Sequence, residues 1–428
     1  MLDIKFIREN PETIKKAAKN KGVEVDIDRL LEVDRRRREI IKLIDGFRFQ
    51  KNEANREIKK STEKGKKEII EKMRKTGVKE NNLNRELKDI DNEFQYLMKS
   101  IPNPALENVP VGKDDSQNVV LRKVGEKPNF DFKPKDYLSL AEDLDLVDVK
   151  RAAKVSGSRF GYLKREAALM EFALVQLALN LAVKKNFIPV VPPAMIKPEM
   201  MERMGYIKKP LNKKREWEGD EVYFLKDDNL LLVGTSEQSI GPMHADEVFE
   251  KKELPKRYIG FSSCFRREAG SYGKDTKGIL RVHQFDKIEM FSFVLPEKSE
   301  EEHNLLLGIG EELMQLLGIS YQVVDICTGD LGDPAARKYD IEAWMPGQKE
   351  YRETHSTSNC TDFQSRRLNV RYKNNENQSD FVHTLNGTAL PIGRILIAII
   401  ENYQKKDGSI GIPDILAGYV GKKEIKGR

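Results

Sequence analysis

The stretch Cys264–Glu289, CFRREAGSYGKDTKGILRVHQFDKIE, places the groups needed to handle a nucleoside triphosphate at strand-like intervals. Residues two apart on a strand share a face. The spacing therefore predicts two strands joined by a polar loop from Gly270 to Gly278. Arg266 and Glu268 would share one face of the first, and Arg281, Phe285 and Glu289 one face of the second. A guanidinium forks onto a phosphate, a carboxylate accepts from a purine amino group, and an aromatic ring stacks on the base. At about 3.3 Å per residue, Phe285 and Glu289 lie roughly 13 Å apart, the length of an adenylate carrying a small acyl group. The predicted chemistry is acyl-adenylate formation, in which a carboxylate attacks the α-phosphorus and no covalent enzyme nucleophile is needed. Catalysis of that step is mainly positioning and neutralisation of charge on the phosphate oxygens.

These groups need a framework, and the sequence outlines one. Runs such as YIGFSSCF, IEMFSFV, YQVVDIC and YDIEAWM read as strands, separated by helical segments such as Glu300–Leu317 and Ile392–Ile400. This pattern predicts an α+β fold on an antiparallel sheet rather than a doubly wound one. Near the start, Asn10-Pro11-Glu12 reads as a cap, an N1 proline and a first-turn acid, with Gly22 closing the helix. Val33, Arg37, Ile40, Ile44, Phe47, Lys51, Ala54 and Ile58 then step by three and four, as do Leu83, Leu87, Ile90, Phe94, Leu97 and Ile101. Both runs carry a heptad period. The apolar-free KSTEKGKKE between them predicts an antiparallel hairpin turning at Lys60–Glu68, and Pro102 and Pro104 end its second helix. Asn118–Lys135 reads as a linker with short strands. Arg165–Phe187 is apolar nearly all round, which predicts burial on all sides, and FIPVVPPAMI continues it as a strand edge.

The chain of 428 residues, with 39% apolar and 34% charged residues, is long enough for two or three domains and reads as soluble. It has no run of 18 consecutive apolar residues, and MLDIKFIREN lacks an apolar signal region. Three dispersed cysteines, Cys264, Cys327 and Cys360, read as free thiols of a reducing cytoplasm, and no Cys/His spacing forms a zinc site. The net charge of +6 is localised: Arg48–Lys79 holds 12 Lys and Arg against 5 Asp and Glu. A solvated coiled-coil surface would account for many of these charges. The one-sided excess instead favours a polyanion, whose binding releases counterions.

The FRRE…RVHQF stretch resembles motif 2 of the class II aminoacyl-tRNA synthetases. Further landmarks, in order, resemble the seryl-tRNA synthetases: VPVGKDD (109–115), SGSRF (156–160), VVPP (190–193), TSE (235–237), CTGDLG (327–332), ETHSTSN (353–359) and HTLNGTALPIGR (383–394), then ENYQ, DGSI and IPDIL. The resemblance implies a tRNA-binding coiled-coil arm domain over 1–110 and a class II catalytic domain over 111–428. It also implies activation of L-serine with ATP, then transfer to tRNA(Ser), with tRNA(Sec) a second candidate acceptor. Arg266, Glu353 and Arg394 would be catalytic. Thr235, Ser236, Glu237, Arg266, Glu289 and Thr388 would hold serine: Thr235 and Glu237 its ammonium, Glu289 and Thr388 its hydroxyl. Arg266, Arg267, Glu268, Arg281, Val282, Phe285, Glu353, Thr354, His355, Ser356 and Arg394 would hold ATP, and Glu353 and Ser356 would carry Mg²⁺. His355 stands where the family commonly has serine; it reads as a hydrogen-bonding neighbour, with a metal or base role as the lesser alternative. The 165–193 segment corresponds to motif 1, which implies a homodimer; a plain core helix is the alternative from the residues alone. The resemblance further implies a cytoplasmic enzyme with no membrane partner. The competing function is a paralogue that adenylates an amino acid for a non-tRNA acceptor. Such a chain would be expected to lack the basic hairpin or the motif arginines, and this one has both.

Overall fold

The computed structural model describes residues 1–207, 221–269, 277–374, 376 and 378–427. Most of the expected Gly270–Gly278 loop lies outside these residues. The chain forms two compact units, one of Leu2–Lys19 with Val23–Pro102, the other essentially Asn103–Arg428.

In the first unit, helices α1 (Ile4–Glu9) and α2 (Pro11–Asn20) precede two long helices, α3 (Ile27–Ile58) and α4 (Glu63–Ser100). The Asp26 carboxylate caps α3 by accepting from the Arg29 amide at 2.8 Å, which satisfies an otherwise unpaired helix-end donor. The chain reverses at residues 59–62, tighter than the expected Lys60–Glu68, because α4 already starts at Glu63. The heptad seam is present: Val33, Ile40, Ile44, Ala54, Phe94 and Met98 are buried. Cross-helix ion pairs Arg29–Glu93, Arg36–Glu86 and Arg37–Asp91 flank it and match antiparallel helices. Lys59, Lys60, Lys64, Lys67, Lys72, Lys75 and Lys79, toward the tip, make no ion pair among the described residues.

The second unit is built on an eight-stranded sheet. Its strands are β1 (Val119–Val124), β2 (Ile188–Val190), β3 (Lys256–Phe265), β4 (Gln284–Val294), β5 (Tyr321–Asp325), β6 (Arg337–Met345), β7 (Glu350–Asn359) and β8 (His383–Pro391). The order is β1-β5-β6-β7-β8-β4-β3-β2. All neighbours are antiparallel except β2 and β3. A short strand expected within Asn118–Lys135 is thus present at Val119–Val124, where it forms an edge of this sheet. The apolar alternation of β4 separates two cores. Ile288, Met290 and Val294 join the main one, with helices α5 (Arg165–Lys184), α6 (Ser299–Leu316) and α7 (Ile392–Asn402) contributing. Phe291 and Phe293 instead join Met204, Ile240 and Tyr258.

Helix α5 departs from expectation. Ala167, Met170, Leu174, Ala178 and Leu181 are buried, but Leu169, Phe172 and Val183 are exposed on another face. Phe172 is 69% exposed, and the neighbouring Ile188 and Val191 are 53% and 86% exposed. Among the described helices only α5 is long and apolar enough to cross a membrane, yet its buried stripe packs in the main core.

Candidate active site

The site is assembled on β4 and its neighbours. The register pairs Cys264 with Phe285 and Gly260 with Glu289 across β3–β4, and Glu289 with Thr388 across β4–β8. Phe285, Lys287 and Glu289 thus share one face of β4. They bring the predicted motif 2 and motif 3 residues around a cavity of about 630 Å³, counting its open mouth. Arg266, Glu268, Arg281, Val282, Phe285, Glu353, Thr354, Ser356, Thr388 and Arg394 all line it.

Two details differ from a plain pair of strands. Strand β3 ends at Phe265 and β4 begins at Gln284. Arg266, Glu268 and Arg281 therefore project from the connecting segments, where Glu268 takes a left-handed backbone with φ 48°. The convergence survives: the Arg266 guanidinium lies 5.3 Å from the Phe285 ring centre and donates to the Gly234 carbonyl at 3.3 Å. Arg281 donates to the Glu268 carboxylate at 3.3 Å. SGSRF braces the segment, since Arg159 donates to the Glu268 carbonyl at 2.9 Å and Phe160 packs on His283.

The second detail concerns Glu353 and Ser356, three residues apart and so expected on opposite faces of a regular strand. Across β6–β7, Asp340 pairs with Ser356 and Ile341 with His355, but Glu342 pairs with Glu353. Thr354 is the extra residue of a β-bulge, its hydroxyl donating to the Ile341 carbonyl at 2.9 Å. One inserted residue reverses the alternation, so Glu353 and Ser356 both face the cavity. His355 is turned the other way and is fully buried; a Cβ added to Gly310 of α6 would sit 3.7 Å from its ring. Burial pushes its pKa down to about 4, so it is neutral. It does not line the cavity among the ATP-facing residues, and neither does Arg267, whose side chain is exposed and whose amide donates to the Glu221 carbonyl.

Glu353 accepts an ion pair from Arg394 at 3.2 Å. Desolvation works against its charge, but Arg394, Lys338 and Arg266 outweigh it and hold the carboxyl below its ordinary range. Asp340, next to Ser356, is pushed up to about 7 by burial, and its Oδ1 has no partner among the described residues. Glu353 and Ser356 line the cavity and are hard oxygen donors of the kind Mg²⁺ takes.

Beyond Lys287 lies a cluster of buried polar side chains. Glu289 Oε2 accepts from Thr235 at 3.2 Å and Thr388 at 3.5 Å, and pairs with the Lys287 ammonium. Glu237 accepts from the Tyr206 hydroxyl at 2.6 Å, Asn386 at 2.8 Å and Gln364 at 3.1 Å. Burial, reinforced by Glu289, pushes its carboxyl up to about 7 despite these donors. The Ser236 hydroxyl is engaged by the Gly260 carbonyl at 3.3 Å. A Cβ at Gly260 would lie 2.6 Å from the Ile240 Cδ1, so Ile240 would have to shift to admit one. The sequence reading missed Lys287, Tyr206, Gln364 and Asn386. Lys287 carried a local signal in its place midway between Phe285 and Glu289 on the same strand face, and Asn386 in its place within HTLNG.

A family model described as seryl-tRNA synthetase N-terminal domain matches residues 1–105, and one described as tRNA synthetase class II core domain (G, H, P, S and T) matches 223–403. The serine–tRNA ligase of Dictyoglomus turgidum is 43% identical to this chain, covering 100% of it and 99% of that protein. The chain belongs to the seryl-tRNA synthetase family. Among solved members of the family, the seryl-tRNA synthetase of Pyrococcus horikoshii complexed with ATP is 40% identical with a TM-score of 0.91 over 100% of both chains. The cytoplasmic serine–tRNA ligase of Naegleria fowleri in complex with AMP is 34% identical with a TM-score of 0.86, covering 100% of this chain and 99% of that one.

Proposed function

We propose that this chain is a serine–tRNA ligase that forms seryl-adenylate from L-serine and ATP and transfers serine to tRNA(Ser). The observation that carries the reading is the single β4 face that runs from the stacking ring of Phe285 to the hydroxyl-binding carboxylate of Glu289, with Arg266 over the ring. Adenine stacks on Phe285, with its amino group at Glu268 and backbone contacts at Val282. Arg266 holds the α-phosphate and the serine carboxylate, while Arg281 and Arg394 hold the outer phosphates. Glu353 and Ser356 would hold Mg²⁺, which when bound neutralises phosphate charge.

Serine binds beyond Lys287. Glu237 and Thr235 receive its ammonium, and Glu289 with Thr388 its hydroxyl. A pocket with polar groups that would be left unpaired rejects alanine far better than one measuring size. Residues 1–110 form the tRNA-binding arm and 111–428 the catalytic domain. The unpaired lysines near the hairpin tip support a phosphate-rich partner, which disfavours the paralogue with a non-tRNA acceptor. tRNA(Sec) is carried as a second acceptor, to be tried with its transcript.

The exposed apolar face of Leu169, Phe172, Val183, Ile188 and Val191 supports a homodimer; Phe172→Glu should shift the mass in light scattering to that of a monomer. The three buried free thiols, Cys264, Cys327 and Cys360, fit a cytoplasmic enzyme. The deciding experiment is pyrophosphate exchange with each amino acid in turn, followed by charging of total tRNA. Exchange with serine and charging of tRNA(Ser) are expected; exchange driven by another amino acid would overturn the assignment.

A further inference from the structure

On one face of β4, Phe285, Lys287 and Glu289 stand at intervals of about 6.6 Å. The proposed reading puts adenine at the first and the serine hydroxyl at the last. The middle position is therefore opposite the α-phosphate and the serine carboxylate, where the new bond forms. Lys287 fills it. Its residue is only 8% exposed, yet it lines the cavity, and its ammonium pairs with Glu289 Oε2. That same oxygen also accepts from Thr235 and Thr388. A serine hydroxyl arriving at Glu289 shares a carboxylate one of whose oxygens already has three partners, the Lys287 ammonium among them. An ammonium loosened from Glu289 would be a buried charge needing a new anion, and the strand spacing sets the reacting phosphate and carboxylate opposite it.

We propose that Lys287 is a catalytic residue of adenylation, resting on the function proposed above. In the free enzyme its ammonium pairs with Glu289. When serine engages Glu289, the ammonium turns to the α-phosphate and the serine carboxylate. A lone pair of that carboxylate forms the new O–P bond as the bond from the α-phosphorus to the bridging oxygen breaks. The bond's electrons leave with pyrophosphate, and no proton moves. The Lys287 ammonium stabilises the charge on the non-bridging oxygens of the α-phosphate.

The test compares serine-dependent pyrophosphate exchange in four proteins: the parent, Lys287→Met, Glu289→Gln and the double variant. Each is first checked for a cooperative melting transition. Lys287→Met should lower kcat of exchange at saturating substrates about 100-fold or more, with KM for ATP within about threefold. The double variant separates the roles, because it leaves no unpaired charge and so keeps the test open if Lys287→Met does not fold. If Lys287 acts on the reacting groups, the double variant falls at least about 30-fold below Glu289→Gln in kcat. If Lys287 only neutralises Glu289, the two are equal within about threefold, and the proposal is overturned. Absence of serine-dependent exchange in the parent would instead strike the proposed function itself.

Discussion

Arg36 and Glu86 of the helical hairpin keep 46% and 40% of their side chains exposed, whereas Lys287 and Glu289 of the catalytic sheet keep 10% and 2%. In the hairpin each charge remains hydrated, so pairing adds little and the surplus lysines stay available to a partner. In the sheet Lys287 and Glu289 have lost most of their water and depend on each other, and the buried Glu237, which has only neutral donors, is pushed up to about 7. The comparison teaches that the same residue types stand in two settings here: a hydrated, one-sided excess of charge on the hairpin, and a buried pair on the sheet whose members satisfy each other.

The largest effect should come from the constellation. Arg266→Ala should lower serine-dependent pyrophosphate exchange at least about 10³-fold while leaving the melting transition in place, since it removes a charge-assisted contact made to the transition state. A folded variant within tenfold of the parent would break the contrast at its strongest point.

Removing Arg35–Ser100 with a short linker tests the other side. Exchange should stay within about threefold, while charging of tRNA falls more than about 100-fold. Binding of tRNA to the intact protein should weaken steeply with salt, as counterion release requires. Equal charging by the truncated protein would make the hairpin a structural element.

Glu289→Gln should lower kcat/KM for serine about 100-fold and leave KM for ATP within about threefold, because Glu289 lies four residues along β4 from Phe285. Loss of ATP affinity with serine affinity intact would mean the site runs the other way.

A smaller effect follows from Glu237. Its carboxyl is raised from the ordinary 4.5 to about 7, and only the ionised form pairs with the serine ammonium. The profile of kcat/KM for serine should therefore rise with pH and level off above about 7. The stability linkage has the opposite sign. The native state holds this proton more tightly than the unfolded chain, so the contribution is present below pH 4.5 and lost as pH rises to about 7. The melting-temperature gain on adding serine should accordingly be larger at pH 8 than at pH 6. A gain independent of pH would show that another group receives the ammonium.

The smallest effect belongs to the hairpin surface: Arg36→Ala should shift Tm by no more than about 1 °C. A larger shift would mean that these exposed pairs hold the helices together.

The local patterns were legible without coordinates. Period-two runs marked β3, β4, β5 and β6, heptad steps marked α3 and α4, and the ordered motifs named the family and most of the cavity's residues. Such patterns are written within one strand or helix, so a short window of sequence carries them. What tertiary structure decided were matters of pairing and facing. Glu353 and Ser356 share the cavity only because β6 holds β7 in a register with Thr354 bulged out, and the same bulge turns His355 into the core. Residues 119–124 joined the sheet because β5 offered an edge, and α5 kept an exposed apolar face because the core covers only one stripe. Lys287 acquired its place from Glu289, Thr235 and Thr388 meeting at one oxygen. The physical reason is common to all four: a side chain's type is local, but its solvent, its neighbours and the face it occupies are set by segments far away in the chain.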